Sequence, residues 1–328
     1  MHLAISVRAP LRIALGGGGT DLPSHYRRHG GFVVSAAIDR HVRMRVSAVE
    51  GERWVFDHLE REEVADPSQI AHPILRAALA RYGSGRPLKL TSAGDVEPGT
   101  GLGSSGAYTV AAVKALAALG GRDLETAELA EAACRIEIDD LDRTVGKQDQ
   151  YAAAHGGLNA MTFERDESVQ VERLAVGPAL RLALRDRFLL FFTGSSRSAA
   201  GVLAGQVERS LAGDGGLERN LAATAEVALA ARSAMEADDP DAFAQLMDRQ
   251  WDLKRERLSH LPMGRIEELR GLALASGAGG AMLMGAGGGG YLLVYAPEPE
   301  PVRAALHSAG APELAFDLDE SGCQAQRE

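Results

Sequence analysis

The sequence predicts a mixed protein of helices and strands in two domains, and three observations carry that prediction. The chain has 328 residues, and at about 150 residues per domain this length favours two domains over one. Short apolar runs bounded by glycine or proline read as strands, and longer apolar-periodic stretches read as helices; both kinds recur along the chain. Hydrophobic residues make up 45% and charged residues 24%, the balance of a chain that builds a globular core.

The elements follow in order. Residues 5–15 read as a strand, with apolar and polar side chains partly alternating. Gly16-Gly17-Gly18-Gly19-Thr20-Asp21 cannot prolong a regular strand and predicts a loop. Strands at 31–38 and 41–46 come next, the second alternating cleanly enough to show one face to solvent. Residues 74–82 are helical in pattern and 88–93 form a short strand. The turn Asp95-Val96-Glu97-Pro98-Gly99-Thr100-Gly101-Leu102-Gly103-Ser104-Ser105 opens into an Ala- and Val-rich helix over 107–119, uncharged except at Lys114. A helix apolar nearly all round belongs inside the protein. Leu124, Ala127, Leu129 and Ala133 build an apolar stripe on a helix over 123–142.

An exposed hairpin near 164–170 precedes the expected boundary at 173–187, which divides the chain into residues 1–175 and 176–328. Phe188-Leu189-Leu190-Phe191-Phe192-Thr193 then reads as a fully buried strand. It ends in Gly194-Ser195-Ser196-Arg197-Ser198, an anion-friendly loop feeding a helix. Helices over 218–237, 241–258 and 264–276 follow. Ala281-Met282-Leu283-Met284 meets the tract Gly285-Ala286-Gly287-Gly288-Gly289-Gly290, ahead of a strand at 291–295. The last dozen residues are polar and read as frayed.

Composition narrows the function. Lys plus Arg total 35 against 45 Asp plus Glu, a formal net charge of -10. Nucleic-acid binding draws on many phosphate-neutralising cations, so it is disfavoured. Two cysteines, Cys134 and Cys323, make neither a disulfide framework nor a thiolate-rich metal site. No apolar run approaches the roughly 18 to 20 residues that span a bilayer, and the start has no signal-peptide pattern. The expected setting is a reducing cytoplasm, with no membrane partner and the oligomeric state open, a homodimer included.

Glycine is the anomaly, at 38 residues against roughly 7% in average proteins. Glycine lets the backbone reach positive φ and lets a ligand approach the main chain. Amides freed in such a loop, ahead of a helix N-terminus, cradle phosphate. The central loop has this form, with the anion on the amides of residues 101–106 and away from Asp95 and Glu97. A Walker A loop is excluded because no lysine follows Gly103. A dinucleotide fingerprint is disfavoured because Gly16 to Gly19 are contiguous, without the spacing that motif needs.

Three blocks together resemble the GHMP family of small-molecule kinases. Arg8-Ala9-Pro10-Leu11-Arg12 through Asp21 is similar to the family's first motif. Pro98, Gly99, Gly101, Leu102, Gly103, Ser104, Ser105 and Gly106 are similar to its phosphate-binding second motif, and the 285–290 tract to its third. Gly146-Lys147-Gln148-Asp149-Gln150-Tyr151-Ala152 and Trp251-Asp252-Leu253-Lys254-Arg255 are similar to the bacterial heptose 7-phosphate kinase branch. The resemblance implies an α+β fold in two lobes, a ribosomal-S5-domain-2-like N-terminal lobe and a ferredoxin-like C-terminal lobe. It also implies ATP and Mg²⁺, with phosphoryl transfer to the anomeric C1 hydroxyl of a heptose 7-phosphate or a related sugar phosphate. A free-sugar kinase of L-fucose or galactose type, and a non-catalytic sensor with the same fold, are the competing readings.

The same resemblance assigns roles. Phosphoryl transfer needs a phosphate cradle, a metal and a group that readies the acceptor. Ser105 and Glu137 would hold Mg²⁺, and Asp149, in a polar run unlike a helix core, would take or orient the hydroxyl proton. Arg12 would polarise that hydroxyl or stabilise the transferring phosphoryl, unless it serves a structural ion pair. Asp21 is a sugar-hydroxyl acceptor or else a helix N-cap. Gly18, Gly19, Thr20, Gln148, Gly287 and Gly288 fall to the substrate. A second anion site for a phosphosugar would draw on Arg197 and the amides of Gly194 to Ser196, with Lys147 and Lys254 behind them, though Arg197 fits a solvated helix start equally well. Met282 departs from the pattern, because the family usually carries a basic residue there. His41 and His155 read as non-catalytic, while Cys134 and Trp251 read as packing.

Overall fold

The computed structural model describes residues 4–58, 60–195 and 199–328. Two sheets organise the fold. The larger has eight strands, with β1 (Ala4–Gly16) and β2 (Gly31–Ala48) antiparallel at its centre. β3 (Trp54–Asp57), β4 (Arg61–Val64) and β5 (Leu88–Gly94) extend it on one side, with β3 and β5 parallel. The hairpin of β6 (Leu158–Phe163) and β7 (Val169–Arg173) pairs with the first half of β2. The smaller sheet has four strands: β8 (Phe188–Phe192), β9 (Gly280–Leu283), β10 (Tyr291–Tyr295) and β11 (Glu313–Leu314), in the order β11-β8-β10-β9. β12 (Gln324–Arg327) returns to the larger sheet and pairs antiparallel with β1.

In the first half of the chain the helices are α1 (Pro23–His29), α2 (Pro73–Tyr82), α3 (Ser104–Leu119), α4 (Thr126–Arg135) and α5 (Gln148–His155). The second half adds α6 (Pro178–Asp186), α7 (Ala199–Leu211), α8 (Gly215–Glu236), α9 (Pro240–Arg257), α10 (Gly264–Ala275) and α11 (Pro299–Ser308). α3 is the central helix: ten of its residues are buried, from Gly106 to Ala117, as its apolar sequence requires. It packs on β1 and β2 together with α5, while α8 and α9 reach β1 from the second half of the chain. β1 therefore lies under helices from both halves, which is why its end can build a site between them.

Several elements differ from the reading of the sequence. The expected strands at 31–38 and 41–46 are one strand, β2, in which Asp39 and Arg40 bulge out between the pairs Leu11–Ile38 and Pro10–His41 without ending the strand. The expected helix over 123–142 is interrupted: α4 stops at Arg135 and a π-helical turn, Ile136–Asp140, takes over. Such turns recur at functional sites, and this one carries Glu137. Asp149 lies in the first turn of α5, so its run is helical after all. The polar C-terminus is ordered by pairing, with β12 on β1 and a buried His41–Asp319 contact of 2.8 Å just before it. Both cysteines are buried, and burial pushes their thiols up, Cys323 to about 12. Such thiols are unreactive.

Candidate active site

The glycine loops converge because backbone must approach backbone. Tyr291 N donates to Thr100 O (3.2 Å), tying the third tract to the central loop. At Gly285 and Gly101 the two chains come so close that a Cβ on Gly285 would lie 2.4 Å from the Cα of Gly101. Between these loops, the end of β1, and α9 lies a cavity of about 1140 Å³. Ligand pockets run to about 300–1,000 Å³, so this one has room for a nucleotide and a second substrate together.

At the mouth of α3, helix geometry leaves the amides of Ser104, Ser105 and Gly106 without intrahelical acceptors, since the first bond runs from Ala107 N to Gly103 O. The positive end of the helix adds to them. Asp149 stands against this mouth. A Cβ on Gly106 would fall 2.6 Å from the Cβ of Asp149 and one on Gly103 would fall 3.3 Å from its carboxyl carbon, so glycine at both positions admits the acid. Arg12 reaches across from β1: its Nε and Nη2 bind Asp149 Oδ1 at 2.8 and 2.7 Å, and its Nη1 binds Gly101 O at 2.6 Å. Arg12 is buried, while the Asp149 side chain is about a quarter exposed to the cavity.

Glu137 sits beneath Ser105, wholly buried. Its Oε1 accepts from Thr109 Oγ1 and Gln150 Nε2, both at 2.9 Å. Its Oε2 accepts from the Ser105 hydroxyl and from Arg143 Nη1 at 2.7 Å, and Arg143 also binds Ser105 Oγ at 2.9 Å. A buried carboxylate needs a compensating charge, and here one oxygen is already committed to a hydroxyl and a cation. Hydroxyl and carboxylate oxygens are hard donors of the kind Mg²⁺ takes; both Glu137 oxygens already accept two bonds, so an ion held by Ser105 and Glu137 would take the place of Arg143 on them. Among the described residues no cluster of three or more His, Cys, Asp or Glu is arranged to hold a metal by itself.

On the other side, Asp21 is buried with Oδ1 on Gly19 N (3.1 Å) and Oδ2 on the amide (3.2 Å) and side chain (3.1 Å) of Gln148. Burial, and then the charge of Asp149, raise its pKa. Asp21 makes no cap bond to α1, which has Leu22 at its N-cap. From α9, Lys254 Nζ reaches Leu283 O (2.7 Å) and Gly285 O, beside the buried Met282. An ammonium thus arrives from another element at the edge where the family pattern puts a basic residue. Burial, followed by the charges of Arg257 and Arg12, lowers the Lys254 pKa to about 7.

The wall of the cavity includes Pro98, Gly99, Gly101, Gly103, Ser104, Ser105 and Arg12, and likewise Gly18, Gly19, Asp21, Gln148, Asp149 and Gly287. Six expected residues stand behind it, among them Glu137, beneath Ser105. Leu102 is buried in the apolar core, and its carbonyl accepts from Arg12 N. Gly106 is pressed against Asp149. The Thr20 hydroxyl is spent on the carbonyls of Gly17 and Phe32. Gly288 is not part of the cavity wall. Lys147 turns away to Glu131 (2.9 Å) and Glu167 O (2.8 Å) over the Tyr26 ring, so it is no part of a second anion site. Arg197 lies outside the described residues. His41 and His155 lie away from the cavity, and Trp251 is wholly buried while contributing to its wall. The sequence reading missed Thr109, Arg143, Gln150 and Arg257. Thr109 was within reach, one helical turn after Ser105, but nothing local marks Arg143 or Arg257.

Comparison with known proteins decides the family. The GHMP kinases N-terminal domain model matches residues 69–157, and the GHMP kinases C-terminal model matches residues 231–312. The chain belongs to the GHMP kinase family. It is an ATP-dependent phosphotransferase with an alcohol group as acceptor, and its relatives put it among the sugar kinases. This GHMP kinase is 28% identical over 306 residues to a D-glycero-alpha-D-manno-heptose 7-phosphate kinase of Campylobacter jejuni, covering 89% of each chain. It is 26% identical over 321 residues to the bifunctional fucokinase/GDP-fucose pyrophosphorylase of Arabidopsis thaliana, covering 90% of this chain and 30% of that one. A crystal structure of a D-glycero-D-manno-heptose 1-phosphate kinase from Bacteroides thetaiotaomicron shares the fold, with a TM-score of 0.81, 22% identity and 98% of each chain covered. No helix among the described residues is long and apolar enough to cross a membrane.

Proposed function

We propose that this kinase transfers the γ-phosphoryl group of ATP to the anomeric C1 hydroxyl of a heptose 7-phosphate, giving the 1,7-bisphosphate and ADP. One observation carries the reading: Asp149, clamped through one oxygen by Arg12, stands at the mouth of α3 facing the cavity. Nucleotide phosphates lie on the amides at 101–106, those of Ser104, Ser105 and Gly106 being free of helix acceptors. The free oxygen of Asp149 accepts the hydroxyl proton as the sugar oxygen bonds to phosphorus and the bond from phosphorus to the bridging oxygen of ADP breaks. Arg12 orients the acid and lies beside the transferring group, where a fixed cation stabilises developing charge. Ser105 and Glu137 would hold Mg²⁺, which neutralises phosphate charge when bound. Asp21, fixed by three N–H donors, accepts from a sugar hydroxyl.

The likeness to the Campylobacter jejuni heptose 7-phosphate kinase supports this substrate, and the likeness to the Arabidopsis fucokinase favours a free-sugar kinase as the second reading. The test is ADP release from ATP and Mg²⁺ with heptose, octose and hexose phosphates and with free L-fucose and galactose. Phosphorus NMR then locates the new phosphate. Turnover of a heptose 7-phosphate at C1 is the expected result. Turnover of neutral sugars alone would favour the second reading, and no sugar-dependent ADP release would end both.

A further inference from the structure

Arg257 is a half-buried cation with no acid on it. Its Nη1 donates to Asn220 Oδ1 and Thr224 Oγ1, both at 2.7 Å, and its Nη2 donates to Gly18 O at 3.2 Å. All three acceptors are neutral. A guanidinium has five N–H donors, so Nε–H and one N–H of Nη2 have no partner among the described residues. Glu256, its neighbour in sequence, turns a carboxylate oxygen to Asn220 Nδ2 at 2.8 Å instead, and that bond aims the Asn220 carbonyl at Arg257. Thr224 is held in turn by its own bond to Asn220 O (2.8 Å). Two side chains of α8 thus fix the direction of the guanidinium without neutralising it.

Lys254 stands one turn earlier on α9 and has the same character. Its ammonium is held by the carbonyls of residues 283 and 285 and carries a third N–H with no partner among the described residues. Both cations line the cavity. Burial lowers the pKa of Arg257 to about 10 and that of Lys254 to about 7, the latter further depressed by Arg257 and Arg12. Lys254 thus lies within electrostatic reach of both the Arg12–Asp149 pair and Arg257. Charge drawn partly out of water without a counter-charge is costly, and here both side chains line a cavity.

We propose that Arg257, with Lys254 beside it, binds the phosphate monoester that the acceptor sugar already carries. The site therefore selects phosphorylated over neutral sugars. This rests on the reading of the chain as a sugar-phosphate kinase. The first glycine loop decides between a sugar phosphate and a nucleotide phosphate. Arg257 is anchored to Gly18, beside Gln148, whose side chain binds Asp21. The free amides of Ser104, Ser105 and Gly106 and the Ser105–Glu137 pair stand instead at the mouth of α3.

The experiment compares Arg257→Met with the wild type on three substrates: the sugar phosphate that the wild type turns over, its dephosphorylated form, and ATP. The expected result is a KM for the sugar phosphate raised about 10- to 100-fold, the loss that follows removal of a charged hydrogen bond. The KM for ATP should be unchanged and the poor activity on the neutral sugar no worse. Arg257→Lys should recover part of the difference, and the melting temperature of each variant checks folding. Inorganic phosphate should compete with the sugar phosphate in the wild type and cease to do so in Arg257→Met. A raised KM for ATP, or equal losses on phosphorylated and neutral sugars, overturns the proposal. If the wild type itself turns over no sugar phosphate, the functional reading has failed, which is a separate result. The subsite is then judged on calorimetric binding of inorganic phosphate, and equal affinity in wild type and Arg257→Met overturns it.

Discussion

The two ends of the cavity are built by different means. At the mouth of α3 the groups are backbone amides and one acid, held by close packing: Gly103 and Gly106 leave no room between helix and Asp149, and Arg12 clamps the carboxylate. On the inner face of α9 the groups are two long cations, Lys254 and Arg257, held by neutral carbonyl, amide and hydroxyl oxygens. The first end resists displacement of atoms and the second resists burial of charge. Mutations at the two ends should therefore fail differently: geometry governs rate at one, and anion affinity and proton release govern the other.

The largest effect tests the first end directly. Asp149→Asn should lower turnover about 10³- to 10⁴-fold, the upper range for a positioned proton acceptor, with nucleotide affinity within a few-fold by fluorescence titration. A near-normal rate would show that another group readies the acceptor. Gly106→Ala comes next. Its new Cβ would meet Asp149 Cβ at 2.6 Å, so the acid must shift. A shift on the scale of an ångström should cost about 10- to 100-fold in kcat and about 1–3 kcal/mol in stability. Unchanged kcat in a folded variant would break the claim that packing positions this acid.

The second end answers to pH. Lys254 is charged in both folded and unfolded chains below its folded value of about 7, and neutral in both above the ordinary lysine value of 10.5. Within that window the unfolded chain holds a proton the folded chain has released, so this residue makes stability rise with pH, by at most about 1.4 kcal/mol per unit. Lys254→Met should flatten the rise, as read from denaturant midpoints at pH 7, 8 and 9. An identical slope in the variant would mean that the ammonium stays protonated. The smallest effect serves as the control. Lys147→Met, outside both ends, should leave kcat and the sugar KM within about twofold and cost about 1 kcal/mol through the lost pairing with Glu131. A large rise in the sugar KM would restore Lys147 to the site.

Motifs made of glycine were the readable part of this chain. Pro98 through Ser105, ahead of an apolar helix, specify a glycine loop with free amides locally, because the conformations that glycine permits and the free amides of a helix start are properties of consecutive residues. The buried character of α3 was equally local, since its apolar residues run all round the helix. The C-terminal strand was misread for the opposite reason. Gln324–Arg327 is polar and exposed, so its order comes from the ladder with β1, more than three hundred residues away in sequence.

The sequence by itself determined the glycine loop ahead of α3, the central helix and the acids at 137 and 149, because each is written in neighbouring residues or in a motif of fixed spacing. Only the tertiary structure decided which cations serve the cavity. Lys147 and Arg257 are alike as sequence, each a basic residue in a helical neighbourhood. Packing turned the first toward Glu131 and the second, through Asn220 and Thr224, toward Gly18 and the cavity. A long flexible side chain takes its direction from whatever acceptors the fold brings near it, and those acceptors lie on other elements.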